Sequence, residues 1–138
     1  MKTGFIGSRN GMSDDQVKIF KQIVNVLDIT EFHHSGCLGA DEVADSIVKE
    51  IKKDKIKTVI HLSYKKDRAD CKADVEIKPV PYLERNKDIV TQSEVLIATP
   101  RDKETFGSGV WSAIRYARKR NIPIYIIKPN GVVKKENQ

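Results

Sequence analysis

The sequence predicts an α/β protein, a single Rossmann-like, doubly wound, mainly parallel sheet with helices on both faces. Three observations carry that expectation. Short apolar runs alternate with longer stretches of helical period. Most of the runs are continuously apolar, as strands covered on both faces are. Glycine-bearing polar loops follow directly on the runs at three places, where open parallel sheets bind ligands.

Gly4 to Gly7 is the first apolar run and ends in Gly-Ser-Arg, so it reads as a buried strand leaving through a tight turn. Ser13 with Gln16 three residues later is a capping box, and Val17, Phe20, Ile23, Val24 and Leu27 follow at helical spacing. Thr30 to His34 is a second strand, broken by Gly36-Cys37-Leu38-Gly39. Ala40, Val43, Ala44, Ile47 and Ile51 then form one face of a helix. Thr58 to Leu62 is a third strand, and Ser63 to Asp74, polar and without period, is expected as a loop. Val75 to Ile77 reads as a short strand, and Tyr82 to Gln92 as a helix with Leu83, Ile89 and Val90 inward. Val95 to Ala98 is a buried strand. Residues 105 to 109 form a small-residue loop that opens the next helix, and Ile122 to Ile127 closes the sheet. The runs at Gly4, Thr30 and Val95 are expected at its centre. One domain over residues 1–131 and a polar tail over 132–138 complete the expectation.

With 138 residues, 39% hydrophobic and 32% charged, the chain has the composition of a folded domain rather than a disordered one. No apolar run approaches the roughly 20 residues of a membrane helix, and no signal peptide opens the chain, so a cytoplasmic location and no membrane partner are expected. Cys37 and Cys71 read as free thiols. The net charge of +6 favours an anionic partner, although the lysine run from Lys49 to Lys57 equally reads as a solvated face.

The three loops supply the binding chemistry. Gly7, Ser8 and Arg9 put a hydroxyl and a planar guanidinium at the first strand end. Ser35, Gly36 and Gly39 let backbone approach a ligand, and Asp41 in the following helical turn either complements the helix dipole or accepts from ribose hydroxyls. Gly107, Ser108 and Gly109, with Val110 and Trp111 behind them, offer free N–H groups at a helix start, a phosphate site. Arg85 and Asn86 add a charge and an amide. Trp111 either stacks on a base or seals the edge of the core, and the second is the stronger reading. His33, His34, Cys37, His61 and Cys71 match no zinc spacing, and no GxSxG elbow is present. No metal and no cofactor are expected.

Taken in order, "GFIGSR" (4–9), "HSGCLGADEVAD" (34–45), "PYLERNKDIVTQSEVLIATP" (81–100) and "GSGVWSAIRYARKRNIPIYII" (107–127) resemble the SLOG superfamily. That group holds the LOG phosphoribohydrolases and the DprA/Smf DNA-processing proteins. The resemblance implies a doubly wound sheet, a pocket for nucleotide-like molecules and a homodimer or higher homo-oligomer. It also implies a departure. The glutamate that follows the glycine loop in LOG enzymes falls here near Ser112 or Ala113, neither of which can assist N-glycosidic cleavage. No residue is therefore assigned a catalytic role. The expectation is a protein that senses or sequesters a phosphoribose- or ADP-ribose-type molecule, such as a cyclic ADP-ribose signal in antiphage signalling or phage counter-defence. Two alternatives stand beside it. One is a nucleotide N-glycosidase using Glu84, Asp88 or Asp41. The other is single-stranded DNA binding in the DprA manner, which would carry a strong salt dependence.

Overall fold

Six of the seven strands of the sheet run the same way, and the chain reverses its direction of travel across the sheet once. The computed structural model describes residues 1–65 and 67–138. The strands are β1 (Lys2–Gly7), β2 (Glu31–His34), β3 (Lys57–Ser63), β4 (Val75–Val80), β5 (Val95–Thr99), β6 (Ile124–Ile127) and β7 (Val133–Glu136). The helices are α1 (Asp14–Val26), α2 (Ala40–Lys52), α3 (Tyr82–Thr91) and α4 (Gly109–Lys119). The strand order is β4-β3-β2-β1-β5-β6-β7, with only β7 antiparallel. The chain steps outward from β1 to β4, then crosses back to β5 on the other side of β1. The expected centre is thus the observed one.

Alternation along the strands builds two cores. Phe5 and Ile97 face α1 and α2 and pack with Phe20, Val24, Phe32, Ala44 and Val48. The Phe5 and Phe20 rings meet edge-on with centroids 5.3 Å apart. Ile6, Leu96 and Ala98 face the opposite way, onto Ile89, Val90, Ile114 and Ala117 of α3 and α4. No described helix is long and apolar enough to cross a membrane.

The capping box on α1 forms as the sequence predicts. Gln16 N donates to Ser13 Oγ at 3.0 Å, and Ser13 N donates to Gln16 Oε1 at 2.9 Å. Gln16 does more than cap. Its buried Nε2 donates to the carbonyls of Pro100 (2.7 Å) and Ile127 (2.9 Å), tying the start of α1 to the ends of β5 and β6.

Four expectations are corrected. Residues 132–138 do not hang as a tail. Lys128 N donates to Val132 O across a turn containing Asn130-Gly131, with Gly131 at φ 84°, and this folds β7 onto β6. The strand after Asp74 runs on to Val80 rather than stopping at Ile77. Leu83 is exposed, because the inner positions of α3 are Arg85, Asn86, Ile89 and Val90, so polar groups occupy a face that hydrophobic pattern alone assigns elsewhere. Val43 is also on the outer side of α2, where Ala40, Ala44, Ile47 and Val48 form the buried stripe.

Replacing Gln16 by alanine removes half of the capping box and strands two buried carbonyls. A loss of at least about 2 kcal/mol in urea unfolding is expected, with the midpoint lowered and the slope unchanged.

Candidate functional site

A cleft of about 300 Å³ opens where the strand order reverses, beyond the carboxyl ends of β1, β2 and β5. Its walls are built by the loops after those strands and by the first turns of α3 and α4. Among the predicted residues, Gly7, Ser8, Arg9, Ser35, Asp41, Arg85, Asn86, Gly107, Ser108, Gly109 and Val110 all line it. Gly36, Gly39 and Trp111 do not.

The two glycines act one layer back. Gly39 sits at φ 96°, and a Cβ there would run into the carbonyl of Arg9. Gly36, at φ 64°, lies against Ile60, whose Cγ2 would be 2.8 Å from an added Cβ. Gly39 lets the loops after β1 and β2 nest together, and Gly36 lets the β2 loop close onto Ile60 of β3. Trp111 is 8% exposed and packs in the α4 core. Its Nε1 donates to Asp102 O at 3.0 Å, and it borders a separate cavity beyond the 101–107 loop. The edge-sealing role is the one its position supports.

At the start of α4, Ser108 is the N-cap and accepts from Trp111 N at 3.3 Å. The residues ahead of that bond, Gly109 and Val110, line the cleft with their backbone at the positive end of the helix dipole. Arg85, 5% exposed, lines the same cleft. Its Nε donates to Asn86 Oδ1 at 2.8 Å, and Nη1 reaches the Cys37 sulfur at 3.7 Å. Among the described residues no carboxylate pairs with it, whereas Arg9 is matched by Asp67, with Nε 2.6 Å from Oδ2.

Asp41 is the carboxylate of this wall, and it is buried. Its Oδ2 accepts from Ser35 Oγ and, at 3.3 Å, from Cys37 N. Burial pushes its carboxyl group upward in pKa, against the opposing pull of His34, those two hydrogen bonds and Arg85. Burial likewise raises the Cys37 thiol. The other carboxylates weighed for catalysis are elsewhere: Glu84 is exposed, Asp88 half-buried, and neither lines the cleft. Ala113 lies in the apolar cluster under α4, and Ser112 is off the cleft wall.

Four lining residues were not in the predicted set: Ile6, Cys37, Lys65 and Tyr82. Lys65 Nζ stands 3.8 Å over the Tyr82 ring. For two of them topology and spacing supply a signal once the fold is known. Lys65 follows the third strand end as Arg9 follows the first, and Tyr82 precedes Arg85 and Asn86 at helical spacing.

The three histidines are all buried. His34 Nε2 bonds Asp45 Oδ1 at 2.9 Å. His33 bonds Glu31 through Nε2 (2.7 Å) and His61 Nε2 through Nδ1 (2.8 Å), and His61 Nδ1 has no partner among the described residues. The described residues bring no three potential metal ligands together. Burial, foremost, keeps His33 below its ordinary pKa and takes His61 down to about 4.

The molecule is thus a doubly wound α/β protein with a basic cleft at its switch point. No protein-family model and no curated protein matches the sequence. Solved structures do resemble it. The molybdenum cofactor binding protein of the phototrophic bacterium Rippkaea orientalis shares 20% identity over 93% of this chain and 77% of its own, with a TM-score of 0.69. The molybdenum cofactor carrier protein MCP of Chlamydomonas reinhardtii shares 22% identity over 90% and 74%, with a TM-score of 0.62. The structural-genomics target TM1055 shares 14% over 90% and 72%, with a TM-score of 0.63. At these identities the likeness is one of fold.

The histidine pair sets an acid sensitivity. Because the folded pKa values lie below those of the unfolded chain, the unfolded state takes up more protons as pH falls. Stability from His61 is full above about pH 6.5 and is lost toward pH 4, at up to about 1.4 kcal/mol per pH unit, and His33 acts in the same direction. Asp41, shifted upward, acts in the opposite sense. Urea unfolding at pH 7 and pH 5 should therefore show a smaller acid loss in His61→Gln than in the parent, with Asp41 common to both.

Proposed function

We propose that this chain binds a phosphate-bearing, nucleotide-derived small molecule in the switch-point cleft and performs no chemistry on it. The observation that carries the reading is Arg85, a guanidinium 5% exposed with no described carboxylate partner. A buried, unpaired charge costs several kcal/mol unless something compensates it. A ligand anion held between Arg85 and the N–H groups opening α4 would do so, and Lys65 would add a second cation. Tyr82 would offer an aromatic face. The ordered motifs support membership of the SLOG superfamily, with a phosphoribose or ADP-ribose-type ligand and a sensing or sequestering role. The molybdenum cofactor proteins that share the fold bind or carry a small molecule, and their names fit a binding reading.

The absence of chemistry rests on the carboxylates. An N-glycosidase needs a carboxylate free to assist at the reacting carbon, and acid–base help of that kind is typically worth about 10²–10⁴ in rate. Asp41, the carboxylate of the wall, is already engaged by Ser35 and Cys37. The basic surface alone favours no nucleic-acid reading, because the unpaired cation lies inside the cleft.

Small molecules released on denaturing the purified protein, identified by mass spectrometry, should include a phosphorylated nucleotide or related heterocycle. Arg85→Met should separate binding from folding. The ligand-free variant should melt at the same or a higher temperature, because an unpaired buried charge is gone. Its affinity for the released ligand should fall by about 2 kcal/mol or more in calorimetry. Unchanged affinity would remove Arg85 from the site. A second expected outcome is that nucleoside monophosphates incubated for hours release no free base. Multiple turnovers seen by chromatography, and abolished in Asp41→Asn, would replace the binder by a hydrolase.

A further inference from the structure

The cleft does not end at Arg85. A second lobe of about 160 Å³ continues from it toward the far edge of the sheet, and Ser35, Cys37, Lys65 and Arg85 border both lobes. Its remaining walls are Leu62 and Ser63 at the end of β3, Asp67 and Arg68 in the loop that follows, and Pro79 near the end of β4. The loop is tied down. Leu38 N donates to Asp67 O at 2.9 Å, Ala69 N donates to Gly36 O at 2.8 Å, Asp67 pairs with Arg9 and Arg68 pairs with Glu76. The described residues of its wall, Asp67 and Arg68, are therefore fixed by the loop after β2 and by β4.

Its position sets a length. The phosphate-binding start of α4 follows β5, whereas Ser63 ends β3. In the order β3-β2-β1-β5 these are three strand spacings apart, about 14 Å at about 4.8 Å each. A nucleoside monophosphate has a phosphate joined to its base through one pentose. Its reach, about eight bonds of about 1.5 Å in zigzag, is about 10 Å. Such a molecule fills one lobe. Arg85 stands at the junction, where a ligand spanning both lobes would place its middle, and Lys65 stands there with it.

We propose that the natural ligand has two units joined by a diphosphate, that the diphosphate lies between the start of α4 and the junction residues Arg85 and Lys65, and that the Ser63–Asp67–Pro79 lobe receives the second unit. This inference rests on the binding reading above and narrows it. The apolar Leu62 and Pro79 give the second unit a face to pack on. Ser63, Asp67 and Arg68 give it hydrogen-bonding groups.

The test uses two pairs of probes on the intact protein, so that base preference does not decide it. AMP is compared with ADP-ribose, and GMP with diguanosine diphosphate, by calorimetry. In at least one pair the two-unit molecule should bind about 10-fold tighter or more, reflecting added charged hydrogen bonds. Ser63→Tyr, which fills the lobe, should bring that affinity down to the monophosphate value and leave the monophosphate unaffected. Retained monophosphate binding shows that this variant is folded. Arg68→Gln, at an exposed position, should weaken only the two-unit ligand. Equal affinities within both pairs, or two-unit binding indifferent to Ser63→Tyr, would overturn the two-unit inference and leave the binding reading standing. If none of the four probes binds, the nucleotide reading itself falls and takes this inference with it.

Discussion

The crevice between β1 and β5 exists because parallel strands cannot be joined by tight turns. Each step needs a crossover packed on a face of the sheet. Steps outward from β1 put α1 and α2 on one face, and the return to β5 puts α3 and α4 on the other. At the reversal the helices part, and the strand-end loops of β1, β2 and β5 look into an uncovered space. Everything proposed for this molecule depends on that parting. Gly39 nests two of those loops against each other, and Gln16 pins the ends of β5 and β6 behind them. The cleft therefore has rigid surroundings, the condition under which charged hydrogen bonds are strong rather than merely available.

Within that frame the charges are unevenly matched. Arg118 is held by Glu136 and Glu104, Arg9 by Asp67, and Lys49 by Asp45. Arg85, the most buried of these cations, has an amide and a thiol but no carboxylate among the described residues. Exposed pairs contribute little to stability, and many contribute nothing measurable. A buried cation left open is different, since its desolvation is borne by the fold in the absence of ligand. The same position that looks wasteful for stability is the one that would gain most from the proposed anion. Local stability and function pull against each other there.

The fold was legible because period and run length speak directly to burial. Phe5, Phe32, Leu96 and Ile97 announce strands covered on both sides. Ser13 with Gln16 announces a helix start that forms as read. Legibility failed where a polar residue took an inner position. Leu83 was the obvious core residue of α3, yet Arg85 and Asn86 hold that face, because the cleft needs them there more than the core needs a leucine. The C-terminal strand was missed because Lys134, Lys135 and Glu136 look solvated. The Asn130-Gly131 turn that folds them back was the better guide. Much of the cleft wall was readable from strand-end loops. Lys65 was not, because its loop has no period and its role depends on β3 ending beside the cleft, a fact of topology rather than of local sequence.

Placing Ala113 and Ser112 changes how a lost activity would have to be argued. Sequence comparison on Gly109 treats the missing glutamate as a side chain deleted from an intact pocket. In this molecule Ala113 is packed among Ile89, Val90 and Ile114, within the apolar layer under α4. A glutamate there would have to be buried as a charge or neutralised, at a cost of several kcal/mol, unless α4 shifted. The difference from a hydrolase would then involve the seating of a helix and the apolar layer beneath it, in addition to one residue. The packing that stabilises the core thus also keeps a carboxylate out of this position, and a glutamate could enter only if that apolar layer were rebuilt.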